Sequence, residues 1–187
     1  MDHYLEIRLL PDPEFSATLL MNALFGKLHR GLAEHSAGRI GVSFPDVRDD
    51  SHALGQRLRL HGDAAALQQL IRADWTTGLR DHIASGDIAP VPSQARQRIV
   101  RRVQAKSNPE RLRRRLMARR QIDAEAARQA IPDHLAERLE LPYVVLASHS
   151  TGQRFRLFIE HLPVQDLAVP GPFTSYGLSS TATVPWF

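Results

Sequence analysis

The sequence has 187 residues, 43% apolar and 24% charged, which is long enough to bury a core and too apolar for a disordered tail. It contains no cysteine, which excludes disulfide scaffolds, thiolate metal sites and cysteine nucleophiles and fits a cytoplasmic, reducing setting. The formal net charge is +4, the opening MDHYLEIRLL lacks a long apolar stretch, and the apolar run at Tyr143–Ala147 is short, so neither a signal peptide nor a membrane span is expected.

Along the chain, His3–Leu10 alternates as a strand and is closed by Pro11 and Pro13. From about Phe15 to Glu34, residues Leu20, Met21, Leu24, Phe25, Leu28 and Leu32 recur every three or four positions, the stripe of an amphipathic helix. Gly38–Phe44 reads as a strand, residues 45–55 as a polar turn region and Gln56–His61 as a further strand. Helical periodicity then runs from Asp63 to about Ile83 through Leu67, Leu70, Ile71 and Leu79, and Ile88–Val91 reads as a short strand. The order β-α-β-β-α-β is the split βαβ, ferredoxin-like (RRM-like) arrangement, with a joint at Pro90, Pro92 and Ser93. The expectation is therefore an α+β protein with a ferredoxin-like domain at 1–93 and a mixed α/β domain at 94–187.

The second half opens with an extended stretch, Gln97–Gln104. Ser107-Asn108-Pro109-Glu110 then offers either a capping box or an Asn N-cap before proline, and both start a helix. On that helix Arg111, Arg115 and Arg119 fall four apart beside Arg114, while Leu112 and Leu116 supply a narrow apolar anchor. A helix capped by Asp123 runs to Pro132, and Asp133–Leu139 is a candidate for another. Tyr143–Ala147 and Phe155–His161 read as paired strands around a turn at residues 150–153, and the aromatic tail from Gly171 is expected to be tied down.

The charge is concentrated. Between Arg96 and Arg120 eleven basic residues face Glu110 alone, a net +10, so the remainder carries −6. Of the 24 basic residues, all but Lys27 and Lys106 are arginine, whose planar fork suits bidentate contacts with phosphates and guanine edges. A stripe this dense is the electrostatic footprint of nucleic-acid binding; the competing readings are a solvated face or a dock for an acidic protein.

The sequence contains no Walker loop, GxGxxG or HExxH, and the acidic pair Asp49-Asp50 reads as a turn, so no cofactor or metal site is expected. RNA supplies its own nucleophile, because a general base can remove the 2′-hydroxyl proton for in-line attack on the adjacent phosphorus. Such chemistry needs a histidine and positioning groups. There are nine histidines, among which His29 stands on the last turns of the first helix beside Phe25.

The strings KLHRGL (27–32), GVSFPD (41–46), RVQAKSNPERLRRRLM (102–117), STGQRFRLFI (150–159), YGLS (176–179) and VPWF (184–187) resemble the Csy-class CRISPR-associated endoribonucleases of type I-F systems, over nearly the whole chain. The resemblance implies a metal-independent endoribonuclease without cofactors. It would cut precursor CRISPR RNA at the 3′ base of the repeat stem-loop and stay on the product hairpin within the type I-F surveillance complex. It implies His29 as proton-transfer histidine, Ser148 holding the ribose with the attacking hydroxyl, Tyr176 orienting the histidine, and Ser150 helping to hold the scissile nucleotide. It assigns Arg102 and Gln104 to the lowest base pairs of the stem, Arg111, Arg114, Arg115, Arg119 and Arg120 to the helix entering its groove, and Phe155 to stacking on the terminal base pair. Ala118 and Arg120 depart from the family's pattern on that helix, and His149 is the alternative catalytic histidine. With His29 on the first half and the serines and tyrosine on the second, the site should assemble where the halves meet. A non-catalytic RNA-hairpin-binding module is the runner-up, and a DNA-binding regulator with the arginine helix in a B-form groove is the third reading.

Overall fold

The computed structural model describes residues 1–48, 50–104, 109–133, 139–148 and 152–187. These hold ten strands and four α-helices, and six of the strand pairings are antiparallel. Contacts group the chain into two compact units, Met1–Arg102 with Leu141–Phe187, and Val103–Glu140.

In the larger unit, β1 (His3–Leu9) turns Leu5, Ile7 and Leu9 inward and Arg8 outward, the period-2 pattern of a half-buried strand. It pairs with β3 (Arg57–Gly62), bringing Leu5 opposite Leu60 and Ile7 opposite Leu58. With β2 (Gly41–Ser43), β4 (Ile83–Ser85) and β5 (Ala89–Pro90) this makes a sheet of order β2-β3-β1-β4, in which β5 also pairs with β1. Helix α1 (Ala17–His35) begins at Ser16, whose hydroxyl accepts from the Leu19 N–H, and buries Leu20, Met21, Leu24, Phe25, Leu28 and Leu32. Each of these side chains contributes about 1.5–3 kcal/mol of burial.

Several expected elements differ. The strand at 38–44 shortens to β2 because Ala37 (φ 47°) and Gly38 (φ 77°) turn the chain through left-handed conformations. The helix expected to reach Ile83 ends as α2 (Ala64–Arg72), because Asp74 (φ 49°) is left-handed and its carboxylate accepts from Thr77 Oγ1 at 2.9 Å and from the Arg80 guanidinium. The chain continues through turns and a short 3₁₀ segment, Arg80–His82, so β4 begins at Ile83 and only the small pair β5 occupies the strand expected at 88–91.

The extended stretch at 97–104 divides into β6 (Arg96–Arg98) and β7 (Val100–Val103), which serve different sheets. The aromatic tail supplies β10 (Val184–Trp186), paired with β6, while β7 joins the hairpin of β8 (Tyr143–Ala147) and β9 (Arg154–His161) in the order β7-β9-β8. Gly41 is required where the tail crosses β2, since a Cβ there would lie 2.6 Å from Val184 and 2.7 Å from the Phe173 ring. No described helix is long and apolar enough to cross a membrane.

The smaller unit holds α3 (Pro109–Arg120) and α4 (Ala124–Ala130), the latter capped by Asp123 accepting from the Ala126 N–H at 2.8 Å. The expected cap at Ser107-Asn108 and most of the candidate helix at 133–139 lie outside the described residues.

Candidate active site

Asn22, Gly26 and His29 are spaced four and three apart and share one flank of the buried stripe of α1. That flank faces the β8–β9 hairpin: the Val145 N–H donates to Asn22 Oδ1 at 2.9 Å. A cavity of about 580 Å³ opens here, walled by His29, Lys27, Arg30, Ser148, Phe155 and Tyr176 among others.

The His29 ring is held in two ways. Nδ1 lies 2.9 Å from the Ser175 carbonyl oxygen, which only accepts, so Nδ1 carries the hydrogen and the neutral ring keeps its lone pair on Nε2. The ring face stacks on Tyr176 with centroids 4.1 Å apart and planes 12° from parallel. Tyr176 in turn sits in a tight turn, where the Gly177 N–H donates to the Thr174 carbonyl at 2.8 Å and the Gly177 carbonyl accepts from the Val42 N–H at 2.9 Å. Gly177 has φ 69°, and a Cβ there would lie 2.5 Å from Val42 Cγ1, so only glycine fits. The position of the histidine thus depends on β2, which contributes no residue to the cavity wall.

Ser148 stands just beyond β8, with its N–H donating to the Gln153 carbonyl and its carbonyl accepting from the Gly152 N–H, each at 2.8 Å. Ser150 and the alternative histidine, His149, lie outside the described residues. Phe155 is opposite Leu146 across the hairpin and half-buried, so it packs on the core and also walls the cavity. Arg102 is exposed on β7, its guanidinium carbon 5.6 Å from the Tyr176 ring centroid, and Gln104 is exposed just past the strand. The fold therefore brings His29, Ser148, Tyr176 and Phe155 to one cavity within the larger unit.

Two histidines are structural. His61 is fully buried with Nε2 2.8 Å from Ser43 Oγ, and burial, helped by the Arg59 charge, pushes it down to about 3. His161 is wedged edge-on beside Phe44 and Trp186, and burial with the nearby Arg98 charge also pushes it down to about 3. Among the described residues neither ring nitrogen of His161 has a hydrogen-bond partner.

In the smaller unit, Arg111, Arg114, Arg115, Arg119 and Arg120 are all exposed. The anchor differs from the expected pair: Leu112 is 38% exposed, and Leu116, Met117 and Arg113 are the half-buried side chains. At 100° per residue these three cluster opposite Arg111, Arg114 and Arg115. Arg113 donates through Nε to the Ile131 carbonyl at 2.7 Å and through its Nη2 to Asp133 at 2.6 Å, tying α3 to the end of α4. Arg120 projects from the Arg113 side by the same angular count, so it is separate from the face of the other four.

The sequence reading missed Asn22, Ser175 and Arg113. Asn22 carries a signal, a polar residue at the spacing of His29 on an otherwise apolar helix flank. Ser175 acts through its backbone, which no residue type reveals, and Arg113 is hidden in a run of identical residues.

The model of the family described as CRISPR-associated protein (Cas_Csy4) matches residues 4–187. The chain is 56% identical over 187 residues to the CRISPR-associated endonuclease Cas6/Csy4 of Pseudomonas aeruginosa (strain UCBPP-PA14), covering the full length of both. It is 50% identical, again over the full length of both, to the CRISPR-associated endonuclease Cas6/Csy4 of Escherichia coli (strain UTI89 / UPEC). A match along essentially the whole chain, with two full-length endonucleases at half identity or better, makes this chain a member of the Cas_Csy4 family of CRISPR-associated proteins.

Proposed function

We propose that this endonuclease processes precursor CRISPR RNA without a metal ion, cutting at the 3′ base of the repeat stem-loop. The 2′-hydroxyl of the nucleotide before the cut attacks the adjacent phosphorus, the bond to the 5′-oxygen of the next nucleotide breaks, and the products end in a 2′,3′-cyclic phosphate and a 5′-hydroxyl. One proton leaves the 2′-oxygen and one reaches the departing 5′-oxygen, and His29 Nε2 moves a proton at one of these atoms. The observation that carries the reading is the locked imidazole: Nδ1 donates to Ser175 and the ring lies flat on Tyr176, which leaves Nε2 for chemistry beside Ser148.

In this reading Ser148, with Ser150, holds the scissile nucleotide, Arg102 and Gln104 read the lowest base pairs, and Phe155 stacks on the end of the stem. Arg111, Arg114, Arg115 and Arg119 grip the stem's phosphates from one face of α3, Arg120 adds a contact from the end of the helix, and the product hairpin stays bound within a type I-F surveillance complex in the cytoplasm. Residues 1–93 form the ferredoxin-like (RRM-like) half, supported by the order β2-β3-β1-β4 with helices after β1 and β3, and 94–187 form the RNA-binding half.

The test is incubation of the protein with a labelled repeat hairpin in EDTA, with the product ends identified. A single cut at the 3′ base of the stem leaving a cyclic phosphate is the expected result. Tight binding without any cut would make the protein an RNA-hairpin-binding module under these conditions and overturn the reading.

A further inference from the structure

The loop that orients His29 has a second side. Thr174–Ser180 supplies the Ser175 carbonyl and the Tyr176 ring to the catalytic cavity, and it also walls a separate cavity of about 280 Å³ with β7, lined by Arg101, Arg102, Ser175, Tyr176, Ser179 and Ser180. The Ser179 N–H donates to the Val100 carbonyl at 3.1 Å, which pins the loop to the strand carrying both arginines. Arg101 is paired with Glu160, whose carboxylate accepts from its Nε at 2.7 Å, whereas Arg102 is exposed beside Tyr176. Ser179 is buried, its Oγ accepting from the Ala182 N–H at 3.0 Å and the Thr181 N–H at 3.4 Å, so it shapes the wall, whereas Ser180 is exposed at the rim with its hydroxyl open to a ligand. Hydroxyl donors around a guanidinium, with no carboxylate among the lining residues, fit an RNA phosphate.

Resting on the proposed function, we infer that this cavity is a subsite for a phosphate of the single-stranded RNA flanking the base of the stem, separate from the arginine helix that grips the stem. Tyr176 lines both cavities, and the Arg102 guanidinium has five N–H donors, of which a bidentate contact with the lowest base pair takes two, so donors remain for a phosphate of the chain that continues past His29. The flank can be the strand 3′ of the cut or the strand entering the stem on its 5′ side. Both present the same phosphodiester.

The experiment measures affinity against salt for four hairpins carrying a 2′-deoxy nucleotide at the cut, which removes the nucleophile: no flank, 3′ flank only, 5′ flank only, and both. The favoured flank should steepen the salt dependence by about 0.7 in slope per phosphate engaged. Ser180→Glu places a carboxylate at the rim of the cavity. It should weaken binding of the flanked hairpin about tenfold and leave the flankless hairpin as the folded reference. The arm that responds identifies the strand. Equal slopes for all four RNAs, or an equal loss on the flankless hairpin, would overturn the subsite while leaving the hairpin reading standing. A flankless hairpin that fails to bind wild-type protein would overturn the function reading and the subsite with it.

Discussion

The proposed function sets the cavity around His29 and the arginine face of α3 on the same RNA, and the two are built in opposite physical ways. Around His29 the groups are fixed by specific neighbours: the imidazole by the Ser175 carbonyl and Tyr176, the Tyr176 turn by its hydrogen bond to β2, and the hairpin by Asn22. On α3 only Pro109 is buried, and the helix is tied to the end of α4 by the Arg113 clamp. Preorganised geometry suits proton transfer, where a small misplacement is costly. Phosphate binding tolerates adjustable, exposed cations, because its affinity comes from charge and counterion release. Substitutions near the cavity should therefore change cleavage, and those on the helix should change binding.

The sharpest separation is expected from His29→Ala. If His29 transfers the proton as proposed, its removal should slow single-turnover cleavage by about 10²- to 10⁴-fold while hairpin affinity stays within about twofold. Unchanged cleavage would move the role to another histidine, first to His149.

Gly177→Ala probes how far the cavity depends on the fold beneath it. The new Cβ meets Val42 at 2.5 Å and the residue must keep φ 69°, so the cost is about 1–2 kcal/mol of left-handed strain plus about 1–3 kcal/mol of overpacking. A drop of about 3 kcal/mol in urea unfolding, with slowed cleavage by the fraction still folded, is the expected pair of results. Full stability with normal cleavage would mean that the turn does not position Tyr176.

How much of this was legible in the sequence follows the same division. The stripe of α1, the alternation of β1 and β3 and the basic run are periodic or compositional and so are legible directly, while His29 is singled out only by the strings that resemble the family. The end of α2 was missed because apolar residues Ile71 and Leu79 continue a helical spacing while Asp74, bonded by Thr77 and Arg80, has already left the helix. The Ser175 contact is a backbone carbonyl brought 146 residues across the chain to Nδ1, and local pattern carries no trace of such a partner.

The larger unit also contains a pH liability that the arginine helix lacks. An unfolded histidine takes up a proton as pH falls through about 6.5, whereas folded His161 resists protonation until about 3, so the stability it supports above 6.5 is lost as pH falls. At pH 5 that loss is about 2 kcal/mol for this group, and His61 adds a loss of the same sign. His161→Phe should leave a ring between Phe44 and Trp186, remove two unpartnered nitrogens, and flatten the fall in urea stability between pH 6.5 and 5 by about 1.4 kcal/mol per pH unit. An unaltered slope would show that His161 is protonated with the fold intact.

The smallest effect should come from exchanging one arginine for another on α3. Arg115→Ala removes an exposed charge, so it should weaken hairpin binding by about tenfold and reduce the salt slope by about 0.7–0.9, the release of one counterion. Arg113→Ala removes the same formal charge from the opposite side, where the guanidinium is committed to the Ile131 carbonyl and Asp133. Its salt slope should stay that of wild type, and the change should appear as faster amide exchange across α3 and α4, because the clamp between them is gone. If the two variants shift the slope equally, charge alone determines binding and the orientation of α3 contributes nothing. If only Arg115→Ala shifts it, the helix presents a defined phosphate-facing side, and the arginines of this run divide by geometry into those that hold the helix and those that hold RNA.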